Sequence, residues 1–233
     1  MSKIILIETS TSLCSAAISE DGAVTAYKEC GDRQHASMLA PMLYDILKER
    51  GLSVKDCDAV AVSKGPGSYT GLRAGASTAK GLCFGADIPL IAVGSPDALA
   101  WKAIEKKLVP EGCRYIVPMI DARRMEVYTA VFDTEGNRIG KTEAKVIDKD
   151  SFAELRAEGP VLFIGDGAMK CAEVMGGEGN LFVESFPDAA GMRIPAEKML
   201  KEKKFEDTAY FEPFYLKDFV ATVSRKNSFL HTK

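Results

Sequence analysis

Two carboxylates stand where apolar strands are predicted to end, a position from which acidic side chains can face a cleft. Glu8 follows the apolar run Ile4-Ile5-Leu6-Ile7, and Asp121 ends a second such run that begins at Tyr115. Short apolar runs rich in β-branched residues are typical of buried strands. The two acids could therefore face a common cleft, or they could be the solvated ends of two strands.

A glycine loop, residues 63–73, is the second candidate for chemistry. Its centre, Gly65-Pro66-Gly67-Ser68, joins a predicted strand to a predicted helix that Ser68 or Thr70 could cap. Glycines permit positive φ and proline stiffens the turn, while a helix N-terminus with its free N–H groups favours an anion. The loop matches neither GxxxxGK[ST] nor GxGxxG. A tight strand-to-helix turn and a phosphate cradle both remain open.

Metal-binding and nucleophilic sites find little support in the sequence. The chain has 2 histidines, His35 and His231, and neither has a histidine or carboxylate at ligand spacing. We therefore predict no metal site, and we assign His35 to a polar or interface contact. The 6 cysteines contain no CxxC pair, so a zinc ribbon or a redox centre is not expected. Only His35, brought near by the fold, could activate Ser68 as a nucleophile.

Charge and hydropathy limit the partners. With 30 Lys+Arg against 33 Asp+Glu, the net charge is -3, which does not predict nucleic-acid binding by the chain alone. Lys217 and the residues after it are more basic, and this stretch is either a solvated tail or a weak phosphate contact. No apolar run is long enough to span a membrane. A cytoplasmic protein is expected.

The elements that must position these residues occur twice in the same order. In the first half we predict strands at 4–8, 14–19, 23–30, 59–63 and 90–93, and helices at 36–49, 71–85 and 96–107. In the second half we predict strands at 115–121, 125–132, 141–147, 161–164 and 181–183, and helices at 151–157, 168–175 and 189–203. Ser151 and Glu154 have the spacing of a capping box. The pattern predicts two lobes, 1–108 and 109–217, each β-β-β-α-β-α-β-α, followed by a basic tail, 218–233.

The two predicted helices on either side of strand 59–63 differ in composition. Helix 36–49 has an apolar stripe with two methionines, and Gly51 supplies its stop. Helix 71–85 is rich in alanine and glycine, which lowers its intrinsic helix propensity. Small residues of this kind allow another backbone to come close. That backbone could belong to the same lobe or to another protein.

This element order resembles the actin-like ATPase superfamily, whose ribonuclease H-like lobes face each other across a nucleotide cleft. The resemblance becomes specific in three motifs: residues 5–11, the glycine loop through Arg73 with Ala79-Lys80-Gly81, and Asp121-Ala122-Arg123-Arg124-Met125-Glu126-Val127-Tyr128. Together with the closing Pro213-Phe214-Tyr215-Leu216-Lys217, they look like the TsaB (YeaZ) family. The matching motifs extend in order from residue 4 to residue 217.

The resemblance implies a subunit of the bacterial tRNA threonylcarbamoyladenosine synthase. Members of the family assist the catalytic TsaD subunit in modifying the adenosine 3′ of the anticodon in tRNAs that read codons starting with A. In TsaD, the strand after the loop helix leads into a segment with two metal-binding histidines. Here Gly94-Ser95-Pro96-Asp97-Ala98-Leu99 stands in that place and contains no histidine. A scaffold and activator without catalytic residues is therefore expected.

The resemblance also assigns residues and partners. The chain is expected to dock on TsaD through helices 36–49 and 71–85, and to form a homodimer through the same helices when TsaD is absent. The residues expected in this contact are His35, Met38, Leu39, Met42, Ile46, Leu72, Arg73, Ala76, Ala79 and Lys80. A vestigial nucleotide cleft is expected to contain Glu8, Thr9, Ser10, Gly65, Gly67, Ser68, Asp121, Arg123, Gly165 and Gly167. ATP or ADP binding is expected to be weak or shared with partners, no metal is expected, and the P-loop ATPase TsaE is a further partner. Contact with tRNA is expected to be indirect, through the complex.

Two other functions are compatible with parts of the sequence. Glu8 and Asp121 fit an ATPase or phosphotransferase of the sugar-kinase type, although the turn Gly165-Asp166-Gly167 is short for an adenosine site. A peptidase acting on a partner protein would need His35 or Ser68 as a catalytic residue. Nucleotide turnover by the isolated chain, or proteolysis that depends on these two residues, would distinguish the alternatives.

Overall fold

The computed structural model describes residues 1–31, 35–177 and 179–217. The first half contains β1 (Lys3–Glu8), β2 (Cys14–Glu20), β3 (Ala23–Cys30), α1 (His35–Arg50), β4 (Ala59–Gly65), α2 (Tyr69–Ala86), β5 (Leu90–Gly94) and α3 (Ser95–Glu105). The second half contains β6 (Tyr115–Asp121), β7 (Glu126–Asp133), β8 (Arg138–Val146), α4 (Ala153–Glu158), β9 (Val161–Ile164), α5 (Ala168–Met175), β10 (Asn180–Val183) and α6 (Arg193–Lys201).

The two sheets have the same topology. The first has the order β3-β2-β1-β4-β5, and the second, taken from its other edge, has the matching order β8-β7-β6-β9-β10. In each sheet the first strand of the half pairs antiparallel with the second strand and parallel with the fourth. This repeated order confirms the predicted duplication of one β-β-β-α-β-α-β-α unit.

Strand β1 is buried on both faces, which explains its unbroken apolar sequence. Ile5 and Ile7 pack under α1 and α2, where they join the largest apolar cluster of the first lobe. Ile4 and Leu6 face the opposite side and pack against residues of the second half of the chain. One strand thus serves two cores because successive side chains point to opposite faces of a sheet.

The last helices of the two halves cross the predicted lobe boundary. Ala196 of α6, with Ala189 and Met192 of the turn before it, packs on Ile4 and Leu6 of the first sheet. Conversely, α3 places Leu99, Ala100 and Ala103 against the second sheet. The division at residues 108 and 109 therefore describes the order of the chain but not its packing.

The segment that follows α6 also returns to the first lobe. The Glu206 amide donates to the Leu90 carbonyl (2.9 Å), and the Phe214 amide donates to the Lys64 carbonyl (2.7 Å). Phe211 is buried in the core beneath α2. Lys217 then forms an ion pair with Glu126 on β7 of the second lobe. Residues 205–217, which we call the C-terminal strap, thus join both lobes, whereas the basic tail 218–233 lies outside the described residues.

Local predictions differ from the structure mainly near α4. The expected capping box of Ser151 and Glu154 is wrong, because α4 begins only at Ala153. The Ser151 hydroxyl is instead used in a turn, where it donates to Asp148 Oδ1 (2.8 Å) and accepts from the Asp148 amide (3.0 Å). The predicted helix 189–203 is divided into a 3₁₀ turn, Ala190–Met192, and the shorter α6.

Other local predictions agree with the structure. Gly51 follows the last residue of α1 with a φ of 63°, the left-handed conformation that glycine adopts readily. The turn Asp21-Gly22 joins β2 to β3 as expected. Among the described residues, no helix is both long and apolar enough to cross a membrane.

Candidate functional site

The glycine loop of the first lobe is filled by the turn between β1 and β2. The Ser68 amide donates a short hydrogen bond to the Ser10 carbonyl (2.6 Å). A side chain at Gly67 would collide with this same carbonyl, and a side chain at Gly71 would collide with the carbonyl of Thr9. The glycines are therefore needed for close backbone packing. The Ser68 amide that a phosphate would require is already occupied by Ser10.

The start of α2 is capped from within the chain. The Ser68 hydroxyl accepts from the Gly71 amide (3.3 Å), as the sequence predicts for an N-cap serine. One turn later, a side chain at Gly75 would collide with the Thr9 hydroxyl. A nucleotide phosphate of the kind that the fold family implies does not fit at this helix start. The loop is a tight strand-to-helix turn rather than a cradle.

Glu8 lies at the base of this turn and is fully buried. Its carboxyl accepts from the Ser10 amide (2.7 Å). Burial raises the pKa of Glu8, and hydrogen bonds from Ser10 and Ser63 offset only part of that effect. The negative charge of Asp188 raises the pKa further. Burial that raises the pKa makes the charged carboxylate less favourable, which weakens Glu8 as a ligand for a cation.

In the second lobe, the corresponding turn is held by charge. Asp121 Oδ1 pairs with Lys170 of α5 and accepts from the Arg123 amide (3.0 Å). Lys170 also donates to the carbonyls of Arg124 and Glu126, each at 2.7 Å. Because the amine has three oxygen partners, it fixes the turn between β6 and β7. Lys170 does not stand out in the sequence, since its partners lie more than 40 positions away.

The turn Gly165-Asp166-Gly167 contacts the same region. Asp166 Oδ1 accepts from the Asp121 amide (2.9 Å), and the Gly167 amide donates to the Met119 carbonyl (2.9 Å). Burial, together with the nearby Asp121, raises the pKa of Asp166 to about 6. The short turn is thus a structural link between β9 and β6.

The predicted cleft residues form two separate sets. Glu8, Thr9, Ser10, Gly67 and Ser68 are in contact in the first lobe, where Gly65 also packs against the strap. Asp121, Arg123, Gly165 and Gly167 are gathered in the second lobe. Within the described ranges, no hydrogen bond or ion pair links one set to the other. A joint nucleotide site is not assembled by these contacts.

The residues predicted for the docking surface require a correction. Six of them are buried inside the first lobe and cannot contact a partner: Leu39, Met42, Ile46, Leu72, Ala76 and Ala79. The apolar stripe of α1 and the inner alanines of α2 meet each other and the sheet. Here the alternative that small residues allow close packing within the lobe is the correct one for Ala76 and Ala79.

The four remaining residues have different environments. Lys80 donates to the carbonyls of Ala209 (2.9 Å) and Phe211 (3.2 Å), so it anchors the C-terminal strap. Met38 is half-buried, and Arg73 is exposed beside Tyr69. His35 begins α1, but its side chain lies outside what the structure describes.

An exposed strip of three small residues and one phenylalanine runs along the outer side of α2. It consists of Ser77, Gly81, Phe84 and Gly85, at the spacing of one helix face. Phe84 is 87% exposed, and a side chain at Gly81 or Gly85 would meet no atom within 4 Å. Tyr44 on the neighbouring α1 is 64% exposed. The sequence does not distinguish this outer strip from the inner one because both contain small residues at helical spacing.

Metal-ligand residues are dispersed. In the part of the chain that the structure describes, no group of three or more His, Cys, Asp or Glu residues could hold a metal ion. The segment Gly94–Leu99 forms the end of β5 and the first turn of α3. Its Asp97 pairs with Arg138 of β8, so this segment contributes to the contact between the lobes.

Comparison with known proteins agrees with the fold and the motifs. A family model described as TsaD, tRNA N6-adenosine threonylcarbamoyltransferase, matches residues 27–224. The tRNA threonylcarbamoyladenosine biosynthesis protein TsaB of Escherichia coli is 34% identical over 227 residues, which cover 94% of this chain and 96% of that protein.

Solved structures extend the comparison to three dimensions. YeaZ from Pseudomonas aeruginosa has a TM-score of 0.82 and 25% identity, with 93% of this chain and 100% of that chain covered. The activator of 2-hydroxyisocaproyl-CoA dehydratase from Clostridium difficile, solved with ADPNP, has a TM-score of 0.50 and 11% identity over 87% of this chain and 97% of that chain. The second likeness indicates a common fold alone. The duplicated lobes are those of the actin-like ATPase fold, and the chain belongs to the TsaB (YeaZ) family.

Proposed function

We propose that this chain is a scaffold and activator subunit of tRNA threonylcarbamoyladenosine synthesis, without catalytic residues of its own. It docks on a TsaD-type catalytic subunit and is required for threonylcarbamoyl transfer to the adenosine 3′ of the anticodon. The tRNAs concerned read codons that start with A. The family membership supports the pathway, because the curated relative is named for tRNA threonylcarbamoyladenosine biosynthesis.

The observation that carries the docking proposal is the open position of Gly81 on α2. A glycine inside a helix costs about 1 kcal/mol relative to alanine. Gly71 and Gly75 are required by contacts within the lobe, whereas no atom of the described chain lies near a Cβ at Gly81. Beside it, Phe84 exposes most of its ring. Close approach of a partner helix would account for both residues.

The proposal of a non-catalytic role rests on the filled glycine loop and on the segment Gly94–Leu99. The loop amide of Ser68 is bonded to Ser10, and the Ser68 hydroxyl caps α2, which leaves neither group free for catalysis. Gly94–Leu99 carries no histidine, and its Asp97 is paired with Arg138. ATP or ADP binding is weak or shared with partners and uses surfaces other than this loop.

We also propose three further interactions. In the absence of the catalytic subunit, the outer strip of α2 can form a homodimer, because a two-fold contact is self-complementary. We place the P-loop ATPase TsaE as a third component that binds the assembled complex. We propose that tRNA binds to the assembled complex, because a chain with a net charge of -3 is not expected to hold tRNA by itself.

The docking proposal can be tested with Gly81→Arg. A long charged side chain fits in open solvent but not in a close helix contact, so co-purification with the TsaD-type subunit is expected to be lost. The matched control is Met169→Arg, which places the same side chain on the exposed face of α5, the counterpart of α2. This control is expected to retain the partner.

Folding of both variants is checked by urea denaturation. Unfolding midpoints no lower than that of the wild type would show that any loss of the partner arises at the surface, because an exposed helical glycine replaced by arginine is expected to stabilise α2 slightly. If the Gly81→Arg variant retains the partner in size-exclusion chromatography, the interface lies elsewhere and the docking proposal is wrong.

A further inference from the structure

Aromatic and basic side chains form a continuous surface where the C-terminal strap passes from the first lobe to the second. On the first lobe, the Arg73 guanidinium lies 4.2 Å from the centre of the Tyr69 ring. That ring contacts Tyr215 of the strap, with ring centroids 4.9 Å apart. Two residues further along, Lys217 reaches the second lobe, where its amine lies 5.7 Å from the ring centre of Tyr128.

The turn between β6 and β7 adds two arginines to this surface. Arg123 and Arg124 have φ values of 67° and 50°, and both are exposed. Neither guanidinium forms a hydrogen bond or ion pair with any described residue. Burial raises the pKa of Tyr128, and the positive charges of Lys217 and Arg123 lower it. Arg123 is therefore near enough to Tyr128 for its charge to act on the hydroxyl group.

The acids around this surface are mostly engaged. Asp121 is paired with Lys170, and Glu126 is paired with Lys217. Glu212 lies close enough to Arg73 for its charge to act on the guanidinium. The guanidinium groups of Arg123 and Arg124 therefore have no acidic partner among the described residues. The turn that carries them is held by the contacts of Lys170.

We propose that this basic–aromatic face, formed by Tyr69, Arg73, Arg123, Arg124, Tyr215 and Lys217, binds the phosphate backbone of the tRNA substrate. The inference rests on the proposed function and goes beyond it, because it makes the contact with tRNA direct. Arginine forks bind phosphate oxygens in pairs, and tyrosine rings can stack on unpaired bases. The face begins at the first turn of α2 and is thus continuous with the proposed docking strip, so one RNA could contact both subunits.

The face is too small to hold tRNA alone. Each phosphate contact steepens the dependence of log affinity on log salt by about 0.7–0.9. Loss of the Arg123 and Arg124 contacts is therefore expected to make the slope shallower by about 1.5 and to weaken binding by about tenfold. The chain by itself, with its acidic balance, is expected to bind weakly.

The experiment compares two double variants in the complex with the TsaD-type subunit. Arg123→Asn with Arg124→Asn removes both charges, and asparagine tolerates the left-handed conformation of the turn. The control, Lys107→Asn with Lys203→Asn, removes two exposed lysines that also have positive φ, at 54° and 53°. The probe is a fluorescein-labelled, unmodified tRNA transcript that reads the codon AAA, titrated by anisotropy at several KCl concentrations.

The arginine variant is expected to lose about tenfold in affinity with a shallower salt slope, while the lysine control behaves as the wild type. Equal affinity and slope in both variants would overturn the inference, as would a wild-type complex that does not bind the transcript. Loss of the TsaD-type subunit with unchanged tRNA affinity would assign the arginines to a protein contact and also overturn it. Failure of the proposed function is distinguishable, because then the wild-type chain does not co-purify with the subunit at all.

Discussion

The glycine turns of the two lobes occupy the same place in the repeat, between the fourth strand and the second helix, but they are stabilised differently. In the first lobe, Gly67 and Gly71 admit the carbonyls of Ser10 and Thr9, so the turn after β1 is packed against the loop. In the second lobe, Gly165 admits the carbonyl of Met119, which lies within strand β6. The turn after β6 is held instead by the charges of Asp121 and Lys170.

The two copies of the folding unit also differ in the lengths of their helices. Backbone packing closes the first loop and fixes the start of α2, an 18-residue helix, whereas its counterpart α5 has 8 residues. The other helix pair follows the same trend, with 16 residues in α1 and 6 in α4. The first lobe thus has long helices with exposed outer faces, and the second lobe presents an exposed, charged turn.

The largest expected effect comes from breaking the packing of the first loop. Gly67→Ala would force a methyl group into the Ser10 carbonyl, and we expect a loss of about 3 kcal/mol in unfolding free energy. The matched change Gly167→Ala meets Val127 Cγ1 at 2.8 Å and the Met119 carbonyl only at 3.0 Å, so smaller displacements suffice and the expected cost is about 1 kcal/mol. Urea denaturation of both variants measures the difference. Equal losses would contradict the assignment of tight backbone packing to the first lobe.

Removing the charge that holds the second turn is the next largest change. Lys170→Met deletes an ion pair and two hydrogen bonds to carbonyls, and we expect a loss of about 2 kcal/mol. The control is Lys149→Met, an exposed lysine of the same lobe, with an expected change within about 0.5 kcal/mol. Similar stabilities of the two variants in thermal unfolding would show that the turn does not depend on Lys170.

A smaller effect is expected at the cap of α2. Ser68→Ala leaves the Gly71 amide without its acceptor, which should lower the unfolding free energy by about 1 kcal/mol. Ser77→Ala, on the exposed face of the same helix, is the control and is expected to change stability little. If both substitutions have the same effect, the cap does not stabilise α2.

The smallest effect is a dependence on pH that distinguishes the buried acid of the first lobe. Because the pKa of Glu8 is raised above its ordinary value of 4.5, the folded chain retains this proton to a higher pH than the unfolded chain. Its contribution to stability therefore declines as the pH rises above the unfolded pKa. In Glu8→Gln this decline is absent, so unfolding midpoints between pH 5 and pH 8 should fall less than in the wild type. Parallel profiles would contradict a raised pKa.

The sequence predicted the order of elements well because each strand has a clear apolar run and turn signals separate them. The ends of β6, β9 and α5 agree with prediction to the residue. Helix α3 packs on the second sheet and α6 on the first. This arrangement could not be predicted, because both helices are amphipathic and periodicity does not indicate which sheet a helix covers. Ser151 misled the prediction because a side chain that bonds Asp148 and one that caps a helix look alike in sequence.

The site was predicted in part. The cleft residues of each lobe do come together, because the ends of β1 and β4 are neighbours in the sheet. Six of the ten predicted docking residues lie on the buried sides of α1 and α2. Hydrophobicity identified the buried face, and the outer strip with Gly81 and Phe84 is marked only by exposure. Arg123 and Arg124 belong to a motif of the sequence, but the sequence does not show that the nearby Asp121 pairs with Lys170 instead of with either guanidinium.

The central claim is that this chain activates a separate catalyst through the outer strip of α2. The most direct test measures threonylcarbamoyladenosine formation on tRNA, from threonylcarbamoyl-adenylate, with the chain alone, the TsaD-type subunit alone, and both together. We predict full activity only with both proteins, and loss of that stimulation when the chain carries Gly81→Arg. Product formation by the chain alone, or stimulation that survives Gly81→Arg, would contradict the account.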